Sequence, residues 1–203
     1  MKEDRRISRT KRMLHEALLG LILEKGFESV TVQDIIDRAN IGRSTFYAHF
    51  YDKHALLQYG FSYLQEHLSE QQQPYLRRSQ HPNEKPRFSF SLPMFQHAHE
   101  HHKLYQALVG KQSGVVVQLQ MKELFASLVR AEMLTFCQQD ISSPFPMEVV
   151  EQFVVHSFTG LLTWWLDQSM PYSAEEMDHM FQAVTLPGMM AVLYDCTDNA
   201  STS

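Results

Sequence analysis

Apolar residues recur every three or four positions along most of this chain, and that spacing restricts the possible folds more than any other feature. The clearest stripe consists of Met13, Leu14, Ala17, Leu18, Leu21 and Ile22. Such a stripe gives an α-helix one continuous apolar face that packs against a protein core. The chain has no Val/Ile/Thr-rich alternating run and no Asn-Gly or Asp-Gly hairpin turn. The sequence therefore predicts an all-α protein.

The chain is long enough to fold without disulfides or structural metal. Its 203 residues fit one large domain or two small ones, and a chain of that size buries roughly 70% of its unfolded surface. Two cysteines are too few for a disulfide framework. The apolar run at 17–23 follows basic residues as in a signal peptide, but glutamates bracket it and no small-residue cleavage site follows. We therefore expect a helix face at 17–23, and no membrane partner.

Charge is unevenly distributed along the chain. Residues 1–53 hold ten Lys/Arg and eight Asp/Glu, which gives +2, whereas the whole chain carries −5 and the remainder therefore −7. A basic end joined to an acidic body favours local contact with a polyanion. Ordinary scatter of charge explains the same numbers equally well, so charge alone does not decide between the two.

Local signals divide the first part of the chain into helices predicted at about 10–25, 32–39, 43–50 and 52–71. Gly26 ends the first helix as a left-handed cap. Thr31 and Asp34 have the spacing of a capping box at the start of the second. Asn40 suits the positive φ of the turn that follows, and Asp52 can cap the fourth helix.

The rest of the chain is also predicted to be helical. A loop or a broken helix is predicted at 71–74 and at 77–86, a connector at 142–146, and helices at 87–99, 101–109, 113–138, 147–169 and 174–194. Ser173 and Glu176 form a second capping box. Pro187 should kink or interrupt the last helix, because proline lacks the N–H that a helix interior needs.

Two short helices joined by a tight turn, residues 31–50, predict a helix-turn-helix, whose second helix enters the major groove of DNA. In that helix Phe46 and Phe50 lie four residues apart and face inward with Ile41. The other faces carry Arg43, Ser44, Thr45, Tyr47 and His49. Arginine offers a bidentate fork for guanine, and hydroxyl groups suit phosphates or base edges.

Further polar residues flank this motif. Lys53 stands at the start of the fourth helix, where free backbone N–H groups also attract phosphate. An N-terminal arm offers cations to the DNA backbone or minor groove: Lys2, Arg5, Arg6, Arg9, Lys11 and Arg12. Thr31 and Gln33 complete the predicted DNA-binding set. The alternative is a plain helical hairpin with a solvated basic tail.

The segment Thr31–Leu57 resembles the DNA-binding signature of TetR-type transcription regulators. The string Thr-Phe-Tyr-x-x-Phe-x-x-Lys-x-x-Leu-Leu, which begins at Thr45, keeps the family's spacing, and the similarity covers residues 8–68. Asn40 and Gly42 replace the glycine and the Ser/Thr that are usual in the family, and they can make the same turn and cap.

The resemblance implies an all-α homodimer that binds a palindromic double-stranded DNA operator, usually as a repressor released by a small-molecule effector. It implies phosphate contacts for Thr45, Tyr47 and Lys53. It implies contacts to bases or backbone for Arg43, Ser44 and His49. A regulator of this kind works in the cytoplasm, associated with the nucleoid.

Beyond residue 70 the resemblance is to a C-terminal domain type common in TetR-family proteins of Firmicutes. It is carried by Gly160–Leu166 and Ser173–Met177. Members of that type have varied effectors, and a few are activators with a protein cofactor, so no effector is implied. We expect a DNA-binding domain over 1–70 and a C-terminal effector-binding and dimerisation domain over 71–203. The alternative function is an interaction module or activator that works through a protein partner.

Other candidate sites are weaker. Aromatic side chains that suit an effector cavity include Phe95, Tyr105, Phe125, Phe158 and Trp164, although most such residues form cores. His97 and His101 lie four residues apart and invite a metal site, against the alternative of a polar helix junction. No cofactor is expected. Nucleophile-elbow, dinucleotide and P-loop motifs are absent from the sequence, which argues against an enzyme.

Overall fold

The computed structural model describes residues 5–78, 86–109, 115–136 and 146–194. Within these ranges the chain forms helices and no strand, which confirms the all-α prediction. The helices are α1 (Arg5–Lys25), α2 (Val32–Ala39), α3 (Arg43–His49), α4 (Lys53–Arg78), α5 (Ser91–Glu100), α6 (His102–Val109), α7 (Val115–Phe136), α8 (Met147–Asp167) and α9 (Ala174–Tyr194). Among them none is long and apolar enough to cross a membrane. Lys2, both cysteines, most of the 77–86 loop and most of the 142–146 connector lie outside the described residues.

The chain forms two compact units. The first combines residues of 1–64 with residues of 101–121, and the second combines residues of 65–100 with residues of 122–203. The first unit therefore contains α6, which follows the boundary expected at residue 70. Two helices, α4 and α7, each contribute residues to both units.

The N-terminal unit is built on α1. This helix packs against α2 and α6 and buries most of the predicted apolar stripe: Leu14, Ala17, Leu18, Leu21 and Ile22. Gly26 follows with φ of 74°, and its N–H donates to the carbonyl of Ile22 at 2.9 Å. The predicted helix face at 17–23 and the predicted glycine cap are both confirmed.

The turn between α2 and α3 is fixed by two local devices. The Thr31 hydroxyl accepts a hydrogen bond from the Asp34 N–H at 3.2 Å, and the Asp34 carboxylate accepts one from the Thr31 N–H at 2.7 Å. Asn40 then takes φ of 52°, and its N–H donates to the carbonyl of Asp37. The capping box and the asparagine turn were both predicted, and both are confirmed.

The fourth helix differs from its prediction. It is capped by Asp52, whose carboxylate accepts from the Ala55 N–H at 2.8 Å, but it runs on to Arg78 with Pro74 inside it. The loop or helix break predicted at 71–74 is therefore wrong. Gln72 and Tyr75 are both buried in the second unit, and their packing outweighs the single backbone hydrogen bond that Pro74 removes.

A close approach between α1 and α4 depends on Gly60. A Cβ atom added there would lie 2.1 Å from Nε2 of His15. The His15 ring meets Tyr59 edge to face, and its burial lowers its pKa, opposed by the nearby Glu16. A glycine at position 60 thus lets α1 lie against α4.

The second unit packs α9 against both α5 and α8. Its core contains a continuous group of aromatic rings, five of which have neighbouring centroids 5.0–5.8 Å apart: Phe88, Phe90, Phe125, Phe158 and Phe181. The helix predicted to begin at residue 87 begins instead at Ser91, because Phe88 and Phe90 turn into this core ahead of it.

The last helix begins where the sequence predicts and continues further than expected. Ser173 and Glu176 form the second capping box, with contacts of 2.8 Å and 3.1 Å between each backbone N–H and the other side chain. α9 then continues through Pro187 to Tyr194, so the predicted interruption is wrong. Thr185 and Met189, on either side of Pro187, are buried, and this packing holds the backbone helical despite the missing N–H.

Candidate DNA-binding interface

The recognition surface is the outer face of α3. Phe46 and Phe50 are buried, as their spacing predicts, and the Phe50 ring lies 5.6 Å from that of Tyr59 on α4. The residues predicted to meet DNA lie on the other faces: Arg43, Ser44, Thr45 and Tyr47 are exposed and His49 is half-buried. A buried inner face and an exposed polar outer face present a short helix rigidly to a groove.

Arg43 and Gln33 are joined by a hydrogen bond across the turn. Arg43 Nη2 donates to Gln33 Oε1 at 2.7 Å, and Gln33 Nε2 donates to Asp37 Oδ1 at 2.7 Å. Asp37 thereby fixes which way the Gln33 amide points, and Gln33 restrains one edge of the guanidinium. The sequence assigned both residues to the interface but gave no sign of this bond.

Lys53 connects the start of α4 to the loop between α1 and α2. Its Nζ donates to the carbonyls of Phe27 and Glu28 at 3.0 Å and 2.9 Å, and it lies 4.7 Å from the centre of the Phe27 ring. An ammonium group has three N–H donors. Two of the three donors of Lys53 are therefore used within the protein, and the third is left for the predicted phosphate contact.

Thr31 and the N-terminal cations have different surroundings from those expected. The only hydroxyl proton of Thr31 is donated to Asp34 at 2.6 Å, and Lys25 and Thr31 together hold the pKa of the Asp34 carboxyl well below its usual range. Arg5, Arg6 and Arg9 are exposed on the first turns of α1, not in an extended arm. The helix begins earlier than the apolar stripe suggests.

The candidate effector residues do not form one group. Phe95, Phe125 and Phe158 are fully buried in the second unit, where the rings of Phe95 and Phe125 lie 5.1 Å and 5.0 Å from that of Phe158. Tyr105 belongs to the first unit, where burial raises its pKa. Trp164 is exposed on α8 and stacks on Tyr172. Four of the five candidate aromatic residues are therefore part of a hydrophobic core, and Trp164 is not.

The paired histidines do not share a helix. α5 ends at Glu100 and α6 begins at His102, so the expected spacing of His97 and His101 on one helical face is not realised. Across the described ranges, no three His, Cys, Asp or Glu side chains are grouped so that they could hold a metal ion.

The first unit contains a helix-turn-helix with an exposed polar second helix, an arrangement typical of DNA-binding regulators, and the second unit is also helical. The family model for bacterial regulatory proteins of the tetR family matches residues 14–59, and a model for a transcriptional regulator C-terminal region matches residues 88–186. The chain belongs to the TetR family of transcription regulators. It binds DNA and, as a member of that family, is not an enzyme.

Individual relatives agree with this assignment. YxbF, an HTH-type transcriptional regulator of Bacillus subtilis, is 43% identical over 56 residues, which make up 27% of this chain and only 15% of YxbF. A TetR regulator from Streptococcus agalactiae shares 23% identity at a TM-score of 0.65, over 90% of this chain and 96% of its own. NalD of Pseudomonas aeruginosa shares 15% sequence identity at a TM-score of 0.64, and the match covers 95% of this chain and 100% of NalD. The dihydroxyacetone kinase operon activator DhaS shares 14% sequence identity at a TM-score of 0.63, and the match covers 91% of this chain and 98% of DhaS. These structural likenesses show the fold.

The Arg43–Gln33 bond gives a prediction about sequence readout. Replacing Arg43 by Ala should cost about 1–3 kcal/mol of binding free energy on the preferred duplex and relax base preference at one position. Gln33→Ala should relax the preference at that same position to a smaller degree, because Arg43 loses its restraint. Fluorescence anisotropy against duplexes that carry each base at each position measures both effects, with Gln73→Ala as the control. Unchanged preference in both variants would contradict the assignment.

The Lys53 contacts give a prediction with two separable readouts. Lys53→Met should lower the free energy of unfolding by about 1–2 kcal/mol, because two charge-assisted hydrogen bonds to the 27–28 loop are lost. It should also lower the slope of log affinity against log salt by about one unit if the third donor meets a phosphate. Urea unfolding and salt-dependent anisotropy measure the two separately. Loss of stability with an unchanged salt slope would assign Lys53 to the loop alone.

Proposed function

We propose that the protein is a homodimeric repressor that binds a palindromic operator and releases it when a small molecule binds the C-terminal domain. In this proposal residues 1–70 read DNA and residues 71–203 sense the effector and dimerise. The regulator acts in the cytoplasm, at the nucleoid. The observation that carries the proposal is the face of α3, where Arg43, Ser44, Thr45 and Tyr47 are exposed while Phe46 is fully buried.

Support for dimerisation comes from apolar surface on α8 and α9. On α8, Phe153 is 62% exposed, and Gly160 and Trp164 lie seven and eleven residues further on, a spacing that puts all three on one side of the helix. On α9, Val184 is 81% exposed and Gly188 follows one turn later. Large apolar side chains that are exposed on one side of a helix are typical of a protein interface. Two helices from each protomer can form a four-helix bundle around a two-fold axis.

Repressors and activators share this fold. NalD is described as the secondary repressor of an efflux pump and DhaS as an operon activator, yet both resemble this chain to the same degree. The fold is therefore compatible with either sign. We choose repression because a dimer bound across a promoter blocks transcription by its bulk, whereas activation needs a further contact with a partner.

The function is tested by selecting DNA with the purified chain. Random duplexes that bind should converge on an inverted repeat, and transcription in vitro from a promoter overlapping that repeat should fall as protein is added. Arg43→Ala is the matched variant, since it leaves the buried side of α3 intact. Recovery of no preferred sequence would overturn the proposal and favour an interaction module, and increased transcription would overturn repression alone.

A further inference from the structure

One carboxylate in the second unit is fully buried, and hydrogen bonds reach only one of its two oxygens in the described part of the chain. Glu132 on α7 has no exposed surface. Its Oε1 accepts from Gln72 Nε2 at 2.8 Å, from the Phe90 N–H at 3.2 Å and from the Ser89 hydroxyl. Its Oε2 is buried and has no hydrogen-bond partner among the residues that the structure describes. Among the described residues no Lys, Arg or His forms an ion pair with it.

This arrangement is unfavourable unless something else binds there. All three donors to Glu132 are uncharged, so they offset only part of the cost of burying a negative charge. Burial raises the pKa of Glu132 to about 7. Oε2 therefore lacks a donor in the ionised state, and its proton lacks an acceptor in the neutral state. A positively charged N–H donor supplies both the missing charge and the missing hydrogen bond.

The surroundings indicate the rest of such a ligand. Ser89 lies between Phe88 and Phe90, whose rings belong to the aromatic group of the core. Leu128 and Met133, close to Glu132 on α7, are buried as well. Aromatic and aliphatic walls favour an apolar body, and aromatic faces also attract cations.

Glu132 is also bonded to the helix that begins beside the recognition helix. Gln72 on α4 shares its Nε2 between Glu132 Oε1 and the carbonyl of Leu128, at 2.8 Å and 3.2 Å. α4 starts at Lys53, directly after α3. A cation that competes for the Glu132 carboxylate therefore weakens a bond that holds α4.

We propose that Glu132 anchors the effector of this regulator, and that the effector is a monovalent organic cation with N–H donors on an apolar or aromatic body, such as an amidine or a protonated amine. The inference rests on the proposed ligand response and names its chemical class. The side chain is closed over in the structure, so the ligand enters by displacing Gln72 or the 88–90 turn from the carboxylate.

The test uses benzamidinium, which combines a phenyl ring with a planar set of N–H donors, and its neutral counterpart benzamide. Titration calorimetry on the full chain should show benzamidinium binding at least tenfold more tightly than benzamide. Glu132→Gln should weaken benzamidinium binding at least tenfold. Glu151→Gln, which changes a buried carboxylate paired with Arg130, should leave binding unchanged.

A second variant keeps the test decisive if Glu132→Gln fails to fold. Glu132→Asp retains the charge but withdraws the carboxylate by one methylene, and it should also weaken binding. Equal binding of benzamide and benzamidinium, equal binding by Glu132→Gln and the parent chain, or no binding of either probe would overturn the proposal.

Failure of this inference is distinguishable from failure of the proposed function. Binding of benzamidinium is measured on the protein alone, and its effect on DNA affinity is measured on the duplex recovered by selection. If the chain binds its selected repeat but not benzamidinium, the cation site is wrong and operator binding stands. If the chain binds benzamidinium through Glu132 and its DNA affinity does not change, the cation site stands and the proposed ligand response is wrong.

Discussion

Val184→Glu should make the protein monomeric at micromolar concentration and weaken its binding to the selected palindrome by a factor of about 10²–10⁴. The side chain is 81% exposed on α9, so a carboxylate there does little to a single protomer but places like charges in a two-fold interface. The loss in affinity follows because a linked pair of recognition helices binds its second half-site at a high effective concentration, and separate protomers do not.

Gly160→Glu tests the same interface from α8. No atom of the described part of the chain lies within 4 Å of a Cβ added at this position, so the new side chain fits the protomer and acts on the partner. Light scattering measures the mass, and anisotropy on the full repeat and on a single half-site separates lost dimerisation from lost contact. Gln73→Glu, an equal charge change at an exposed site of α4, is the control. A dimer that persists in both variants, or a monomeric parent chain, would place the interface elsewhere.

The features that sequence predicted are those decided within one or two helical turns. The Thr31–Asp34 and Ser173–Glu176 boxes join residues three apart, and the positive φ of Asn40 follows from its own side chain. The outer face of α3 was predictable for the same reason, since the spacing of Phe46 and Phe50 fixes which side is buried.

The features that sequence missed depend on contacts between distant residues. α4 passes through Pro74 because Gln72 meets Leu128 and Glu132, which lie 56 and 60 residues away. Glu132 itself carries no local sign of burial, because its neighbours on α7 do not differ from those of an ordinary helix glutamate. Its protonation is therefore set by tertiary contacts, chiefly by burial.

Glu132→Gln should make the protein more stable above neutral pH and leave it nearly unchanged in acid. The pKa of Glu132 is raised to about 7 in the folded chain from the 4.5 of an exposed glutamate, so the folded state holds this proton more tightly than the unfolded state. The contribution of this proton to the free energy of unfolding is then fully present below pH 4.5 and is lost as the pH rises through 7. The difference corresponds to about 3 kcal/mol for one group.

Glutamine is the matched substitution because it reproduces the neutral acid. It keeps the oxygen that accepts from Gln72, Ser89 and Phe90, and its amide donor replaces the carboxyl proton. At pH 4 the variant and the parent chain should therefore melt together. At pH 8 the variant should melt higher by roughly 2–4 °C for each kcal/mol. Glu151→Gln controls for the loss of a buried carboxylate as such. Parallel melting curves from pH 4 to pH 8 would show that Glu132 stays ionised throughout, and would place a positive charge near it in the free protein.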